Sequence, residues 1–186
     1  GGSIIDHSIR FNRGDNPHFS RTPSSAGNRK VWTYSVWLKR TDFGQRSFFQ
    51  AYDGSSSRRF QLSFNNDDTL NFNQGGNSSS GLAISYYMFR DPTAWYHFVY
   101  VVDSTQTPAG ERIRIYVNGV RESSFSTESY LAQNQDTDWN LSGEKMWIGR
   151  DGSGSGYDGE YYAADIYWLD GYAYGDRKST RLNSSH

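Results

Sequence analysis

The chain has 186 residues and a formal net charge of −1, with 19 Lys/Arg against 20 Asp/Glu and no Cys. That balance excludes the basic excess of a nucleic-acid-binding module, and the missing thiols exclude disulfide staples, thiolate catalysis and Cys-type zinc sites. Hydrophobic residues make up only 35%, but 14 Tyr, 11 Phe and 6 Trp supply a core from few positions, since each large ring buries about 150–250 Å². No apolar run approaches the ~20 residues of a membrane span. The polar opening GGSIIDHSIRF does not read as a signal peptide.

Residues 8–11 and 18–21 are predicted as short strands. Trp32, Tyr34, Val36 and Leu38 then alternate with Thr33, Ser35, Trp37 and Lys39, a strand with one face buried. Trp37 therefore points away from the quartet. A strand at 46–52 runs into the turn chemistry of 53–57. Phe60, Leu62 and Phe64 alternate next, followed by the turn Asn66-Asp67-Asp68 and by Leu70 and Phe72. Another turn at 75–78 leads to a strand at 82–89. Residues 95–102 are apolar on both faces, which predicts a central strand covered on each side. Residues 112–117 meet Asn118-Gly119, a strong hairpin signal. The polar stretch 123–142, anchored by Tyr130, Leu131 and Trp139, reads as a long loop with a short helix. Strands at 145–150 and 161–169 flank the glycine-rich turn 151–156. The ending DRKSTRLNSSH loses all alternation and reads as an unfolded or read-through tail. One domain is expected at 1–175, with 176–186 outside it, so deleting the tail should leave the melting temperature unchanged. Many short strands between Gly/Ser/Asn/Asp turns predict an all-β, two-sheet antiparallel sandwich.

Four phrases carry a resemblance: AWYHFVYVVD with RIRIYVNG, WTYSVWLK, MWIG and GEYYAADIYWL. In order and spacing they resemble laminin-G-like and pentraxin-like domains of the concanavalin-A-like jelly-roll superfamily. Phrases at 8–12, 20–30, 89–92 and 169–171 resemble lectin-like domains in tail and appendage proteins of marine bacteriophages. The chain departs from the pattern at Tyr162 and Ala163, where Leu or Ile is usual. The resemblance implies a jelly roll that recognises glycans, with calcium assistance as one option. It also implies a virion or extracellular setting, with cell-surface glycans and other virion subunits as partners.

Three kinds of site follow. Trp37, Tyr52, Trp139 and Tyr157 are candidate sugar platforms, because rings stack on the apolar faces of sugars. For Trp37 the competing expectation is burial under a covering loop. Asp151 and Asp158, flanking the Gly/Ser turn, and Asp103 at a strand end are candidate calcium ligands. Calcium wants six to eight oxygens, although Asp in such turns also serves simply to bond the local backbone. Catalysis is not expected. The Glu-x-Asp-x-x-Glu strand of laminarinases, which belong to the same superfamily, has no counterpart here. Glu160 and Asp165, five apart on a strand, should face opposite sides. Arg13-Gly14-Asp15 and the sequons at Asn77, Asn140 and Asn183 carry little weight, and His97 is expected to be a hydrogen-bonded core residue. The expected function is a non-catalytic carbohydrate-binding module. The alternative is a structural domain that contacts neighbouring subunits.

Overall fold

The computed structural model describes residues 5, 7–54, 59–76, 80–154 and 156–175. The tail 176–186, the sequons at Asn77 and Asn183, and parts of the turns 53–57 and 75–78 lie outside them. Among the described residues the strands are, in chain order, β1 (Ile9–Phe11), β2 (Phe19–Arg21), β3 (Val31–Arg40), β4 (Arg46–Tyr52), β5 (Arg59–Phe64), β6 (Thr69–Gln74), β7 (Leu82–Met88), β8 (Tyr96–Asp103), β9 (Ile113–Val117), β10 (Val120–Arg121), β11 (Thr127–Ser129), β12 (Met146–Ile148) and β13 (Tyr161–Asp170). They form a six-stranded sheet, β1-β13-β3-β8-β9-β10, and a seven-stranded sheet, β11-β7-β6-β5-β4-β12-β2. Pairing is antiparallel throughout, as in a jelly-roll sandwich.

The alternation in β3 drives the packing. Trp32, Tyr34, Val36 and Leu38 are each at most 1% exposed and face Phe49, Phe60, Leu62 and Phe72 across the sandwich. Tyr34 stacks on Phe49 at 3.9 Å between ring centroids, and Trp32 meets Phe60 edge-on at 5.2 Å. Such pairs add about 0.5–1.5 kcal/mol each beyond the area they bury. All eight residues of β8 are buried, as its two-sided apolarity predicts. Phe98, Tyr100 and Val102 enter the intersheet core. Val99 and Val101 form a second cluster with Tyr116 on the outer face, covered by Ala173 and Tyr174. The Thr33 hydroxyl donates to the Tyr172 carbonyl at 2.8 Å, which ties this C-terminal strap down. The hairpin also forms as expected. Asn118 and Gly119 both have positive φ, 51° and 80°, and Val117 pairs with Val120.

A buried ion cluster closes one end. Arg40, 1% exposed, donates to Asp68 Oδ1, the Phe89 carbonyl and the Gly44 carbonyl, each at 3.0 Å. Asp68 also accepts from the Gly44 amide at 2.6 Å and from Arg90 Nε at 2.8 Å.

Two sequence expectations are corrected. The stretch 123–142 contains no helix; it supplies the edge strand β11, then turns that lower Leu131 and Trp139 into the core. Asn134 and Asn140 hold φ of 61° and 65° there, which ends any helical run. Glu160 and Asp165 also do not face opposite sides. Between Ala164↔Trp37 and Tyr167↔Ser35, β13 carries one extra residue, and Asp165 has φ 48°. This bulge shifts the alternation. Tyr161, Ala163 and Trp168 pack on the core, whereas Asp165 sits on the outer face with His97, whose charge state it influences.

Candidate functional site

The outer face of the six-stranded sheet is built from the residues that alternate with the core. The C-terminal strap covers the half that holds Thr33, Val99, Val101 and Tyr116. Beyond it Trp37, half-buried, lies flat on His97, with ring centroids 4.8 Å apart and planes within 17°. His97 is held in place by its partners. Its amide donates to Asn118 Oδ1 at 2.8 Å, its carbonyl accepts from the Asn118 amide, and its Nε2 lies 2.9 Å from Ser35 Oγ. Burial lowers its pKa to about 4, against the opposing charge of Asp165. It stays neutral near pH 7 and supports Trp37 as a flat, uncharged base.

One row further along, four neighbouring chain segments place Arg10, Tyr162, Lys39 and Trp95 side by side. The register Arg10↔Tyr162 and Tyr162↔Lys39 fixes three of them. Lys39 Nζ lies 5.2 Å from the Tyr162 ring centroid and 5.6 Å from that of Trp95, and Arg10 Cζ lies 5.7 Å from Tyr162. Neither cation makes an ion pair with a described carboxylate. At about 4.8 Å per strand the row spans roughly 14 Å, the scale of a short oligosaccharide. Trp37, Trp95 and Tyr162 are all half-buried, presenting ring surface while anchored below.

The other candidate platforms lie elsewhere. Tyr52 ends β4 on the seven-stranded sheet, with Arg59 Cζ 5.8 Å above its ring. Tyr157 is half-buried, and its carbonyl accepts from the Ser47 amide at 2.8 Å. Trp139 is not a solvent-facing platform. It is 4% exposed and packs 3.9 Å from Phe49 and 4.6 Å from Trp168, because the turns of 130–142 fold it inward. The structure thus spreads the four rings over separate places. Arg10, Lys39, Trp95 and Tyr162 were missed as a group, although the period-2 argument that placed Trp37 also places Lys39 on the same face. The cross-strand register needed to add the others is not written in any one segment.

The acidic candidates are similarly divided. Asp151 is fully buried; its Oδ1 accepts from the Ser153 amide and hydroxyl, and Arg59 stands 4.0 Å from it. Asp158 Oδ1 accepts from the Asp151 amide at 2.8 Å. Asp103 lies on the other sheet, its Oδ1 taken by Thr105 and its Oδ2 by Gln106 Nε2 at 2.7 Å. No group of three or more His, Cys, Asp or Glu among the described residues could hold a metal ion. Asp151 and Asp158 share one turn, while Asp103 stands apart on the other sheet. Arg59 supplies the positive charge beside Asp151, whose Oδ2 is buried without a hydrogen-bond partner.

Comparison with known proteins places this geometry in context. A laminin G-type family model, described as the concanavalin A-like lectin/glucanases superfamily, matches residues 13–167. No curated protein matches in sequence. Among solved structures, the fold is similar to a heptameric SAP-like pentraxin from Limulus polyphemus, with 15% identity, TM-score 0.61, and 98% of this chain and 79% of that one covered. It is similar to domain 4 of an extracellular arabinanase from Geobacillus stearothermophilus, solved with arabinotriose, at 14% identity and TM-score 0.56, covering 87% and 70%. It is also similar to a carbohydrate-binding domain of a Ruminococcus gnavus sialidase, solved with α2,3-sialyllactose, at 11% identity and TM-score 0.53, covering 89% and 98%. The chain belongs to the concanavalin A-like lectin/glucanases superfamily, in its laminin G-type branch.

Proposed function

We propose that this domain is a non-catalytic carbohydrate-binding module whose ligand lies along the row Arg10–Tyr162–Lys39–Trp95, with Trp37 beside it. The observation that carries this is the set of three half-buried rings on one open sheet face, two of them bridged by Lys39. Rings offer flat apolar surface to sugar C–H faces, and the cations offer hydrogen bonds to hydroxyl or carboxylate oxygens. The sugar complexes of the arabinanase domain and the sialidase module, both similar in fold, support this reading. With Arg10 and Lys39 lacking carboxylate partners among the described residues, acidic saccharides are the favoured class. Glycoside hydrolysis needs two carboxyl groups about 5–5.5 Å or 6.5–9.5 Å apart. Glu160 and Asp165 share a face but are separated by five residues of strand, roughly 16 Å, which favours binding over catalysis.

A single site of this openness binds in the range of about 1 mM; many copies on one particle would raise that through avidity. The phrases shared with phage appendage domains favour a virion setting, with host surface glycans as ligand. The test is a glycan array probed with multivalently displayed protein, in calcium and in chelator. Binding to acidic saccharides that persists in chelator is expected. A folded protein silent on the whole array would refute the proposal. One observation favours an assembly role instead: Tyr86, Tyr87 and Met88, consecutive at the end of β7, are 67%, 56% and 44% exposed. A silent array together with concentration-dependent self-association lost in Tyr86→Ser/Tyr87→Ser would establish that role.

A further inference from the structure

The row on the outer face has an order as well as a composition. Arg10 stands on β1, the edge of the six-stranded sheet, and Tyr162 on β13 beside it. Lys39 on β3 follows, paired with Tyr162. Leu38 pairs with Tyr96, so Trp95, one residue earlier, falls next to Lys39. The chain neighbours Phe11, Tyr161, Ala163, Leu38 and Tyr96 all enter the core, which turns these four side chains outward. Arg10 is exposed and the other three are half-buried, so all four reach solvent. Across the strands the row runs cation, ring, cation, ring.

Like members therefore recur at every second strand. With strands about 4.8 Å apart, the two cations are about 10 Å apart at the backbone, and so are the two rings. The side chains keep this phase. Lys39 Nζ stands at nearly equal distance from both ring centroids, 5.2 Å from Tyr162 and 5.6 Å from Trp95. Arg10 approaches Tyr162 from the opposite neighbouring strand, with Cζ 5.7 Å from its ring.

The rise of one sugar along an extended glycan is close to one strand step, so a chain laid along the row sets one sugar over each strand. The negative face of an aromatic ring favours an uncharged, C–H-rich sugar face and repels a carboxylate. A cation lacking a carboxylate of its own favours an acidic sugar, and neither Arg10 nor Lys39 has one among the described residues. We infer that the row recognises the repeat of a linear glycan in which acidic and neutral sugars alternate. Carboxylates lie at Arg10 and Lys39, and neutral sugars lie on Tyr162 and Trp95. This inference rests on the glycan reading above and adds to it the charge pattern of the ligand. A glycan acidic at every sugar would press carboxylates onto the two rings, and a neutral one would leave both cations unpaired.

The test titrates tetrasaccharides into the intact chain at about 0.15 M salt, with binding read from the indole N–H resonance of Trp95. Two alternating probes, from hyaluronan and from unsulfated chondroitin, carry glucuronate at every second sugar and differ in the neutral one. Tetragalacturonate carries a carboxylate on every sugar, and cellotetraose carries none. The better alternating probe should bind about tenfold more tightly than either control, although tetragalacturonate has twice its charge. Arg10→Gln and Lys39→Gln should each abolish that preference. Tetragalacturonate binding as tightly as the alternating probes would overturn the inference, since charge alone would then decide. Cellotetraose binding as tightly would also overturn it, leaving a site for neutral glycans. A preference that survives both substitutions would place recognition outside the row and equally sink it. Silence from all four probes ends it too, and the broader glycan reading falls with it only if the array is silent as well.

Discussion

Asp68→Ala removes the only carboxylate in direct contact with the Arg40 guanidinium among the described residues. Arg40 is 1% exposed, and its other contacts are two carbonyls and the faces of Phe64 and Phe43, 4.1 Å and 5.0 Å away. None of these carries a countercharge. Leaving one partner of a buried pair alone costs about 3–5 kcal/mol. Asp68 also sits at φ 65°, where alanine adds roughly 1 kcal/mol of backbone strain. Arg90 contributes little to the loss, because its side chain is 57% exposed. For a chain of this size each kcal/mol moves Tm by about 2–4 °C. A fall of about 8–24 °C is expected in thermal melts followed by circular dichroism. Asp68→Asn keeps an acceptor for the Gly44 amide and tolerates the left-handed backbone, so it should lose less than alanine. A drop under about 1 kcal/mol for Asp68→Ala would refute the reasoning, and so would an asparagine variant as unstable as the alanine one. Burial pushes the Asp68 carboxyl up, but the Gly44 amide, Arg90 and Arg40 together hold it below the usual range. Its stabilisation is thus complete above about pH 4 and is lost as pH falls from there toward the lower native pKa.

His97 acts in a separate window. Its native pKa of about 4 lies below the ordinary value of 6.5, so the unfolded chain takes up a proton first as pH falls. Stability should decline by about 3 kcal/mol between pH 6.5 and 4; His97→Gln should flatten that segment of a urea-midpoint profile, and an unchanged slope would count against a buried neutral imidazole. Gly149→Ala should destabilise by about 3 kcal/mol, because Gly149 has φ 87° and a Cβ there would lie 2.2 Å from the Phe11 ring; a wild-type melting curve would contradict this packing. Trp95→Ala and Tyr162→Ala should each weaken glycan binding at least tenfold on the array with little change in Tm, since both rings are only half-buried. Lys39→Gln should affect acidic ligands more than neutral ones.

Much of the sandwich is legible in the sequence wherever the signal is local. The Trp32–Leu38 alternation, the two-sided apolarity of β8 and the Asn118-Gly119 hairpin each act within a few residues, and each appears where expected. What fails depends on distant partners. Nothing near Trp139 reveals that Phe49 and Trp168 will receive its ring. Asp151 looks like an exposed turn carboxylate until Arg59 and the loop fold over it. The candidate site is half legible for the same reason. Trp37 is placed on the outer face by counting along β3, but Arg10, Tyr162 and Trp95 join it only through pairing across strands.

The extra residue in β13 makes this strand sensitive to length in a particular way. Counting by twos from Tyr161 fails after Ala164, and the later residues keep their places only because the strand is set forward by one. Loss of a single residue at 165 or 166 would remove the bulge and leave an unbroken two-residue period: Ala164 would still stand opposite Trp37, Tyr167 opposite Ser35, and Trp168 would keep its place between Trp32 and Phe49. The bulge is thus spare length within the strand. A residue lost between Tyr167 and Leu169 has no such reserve beside it and would turn the residues after it to the opposite face. In this strand the position of a deletion matters more than its size, and 165–166 is where one residue can be given up.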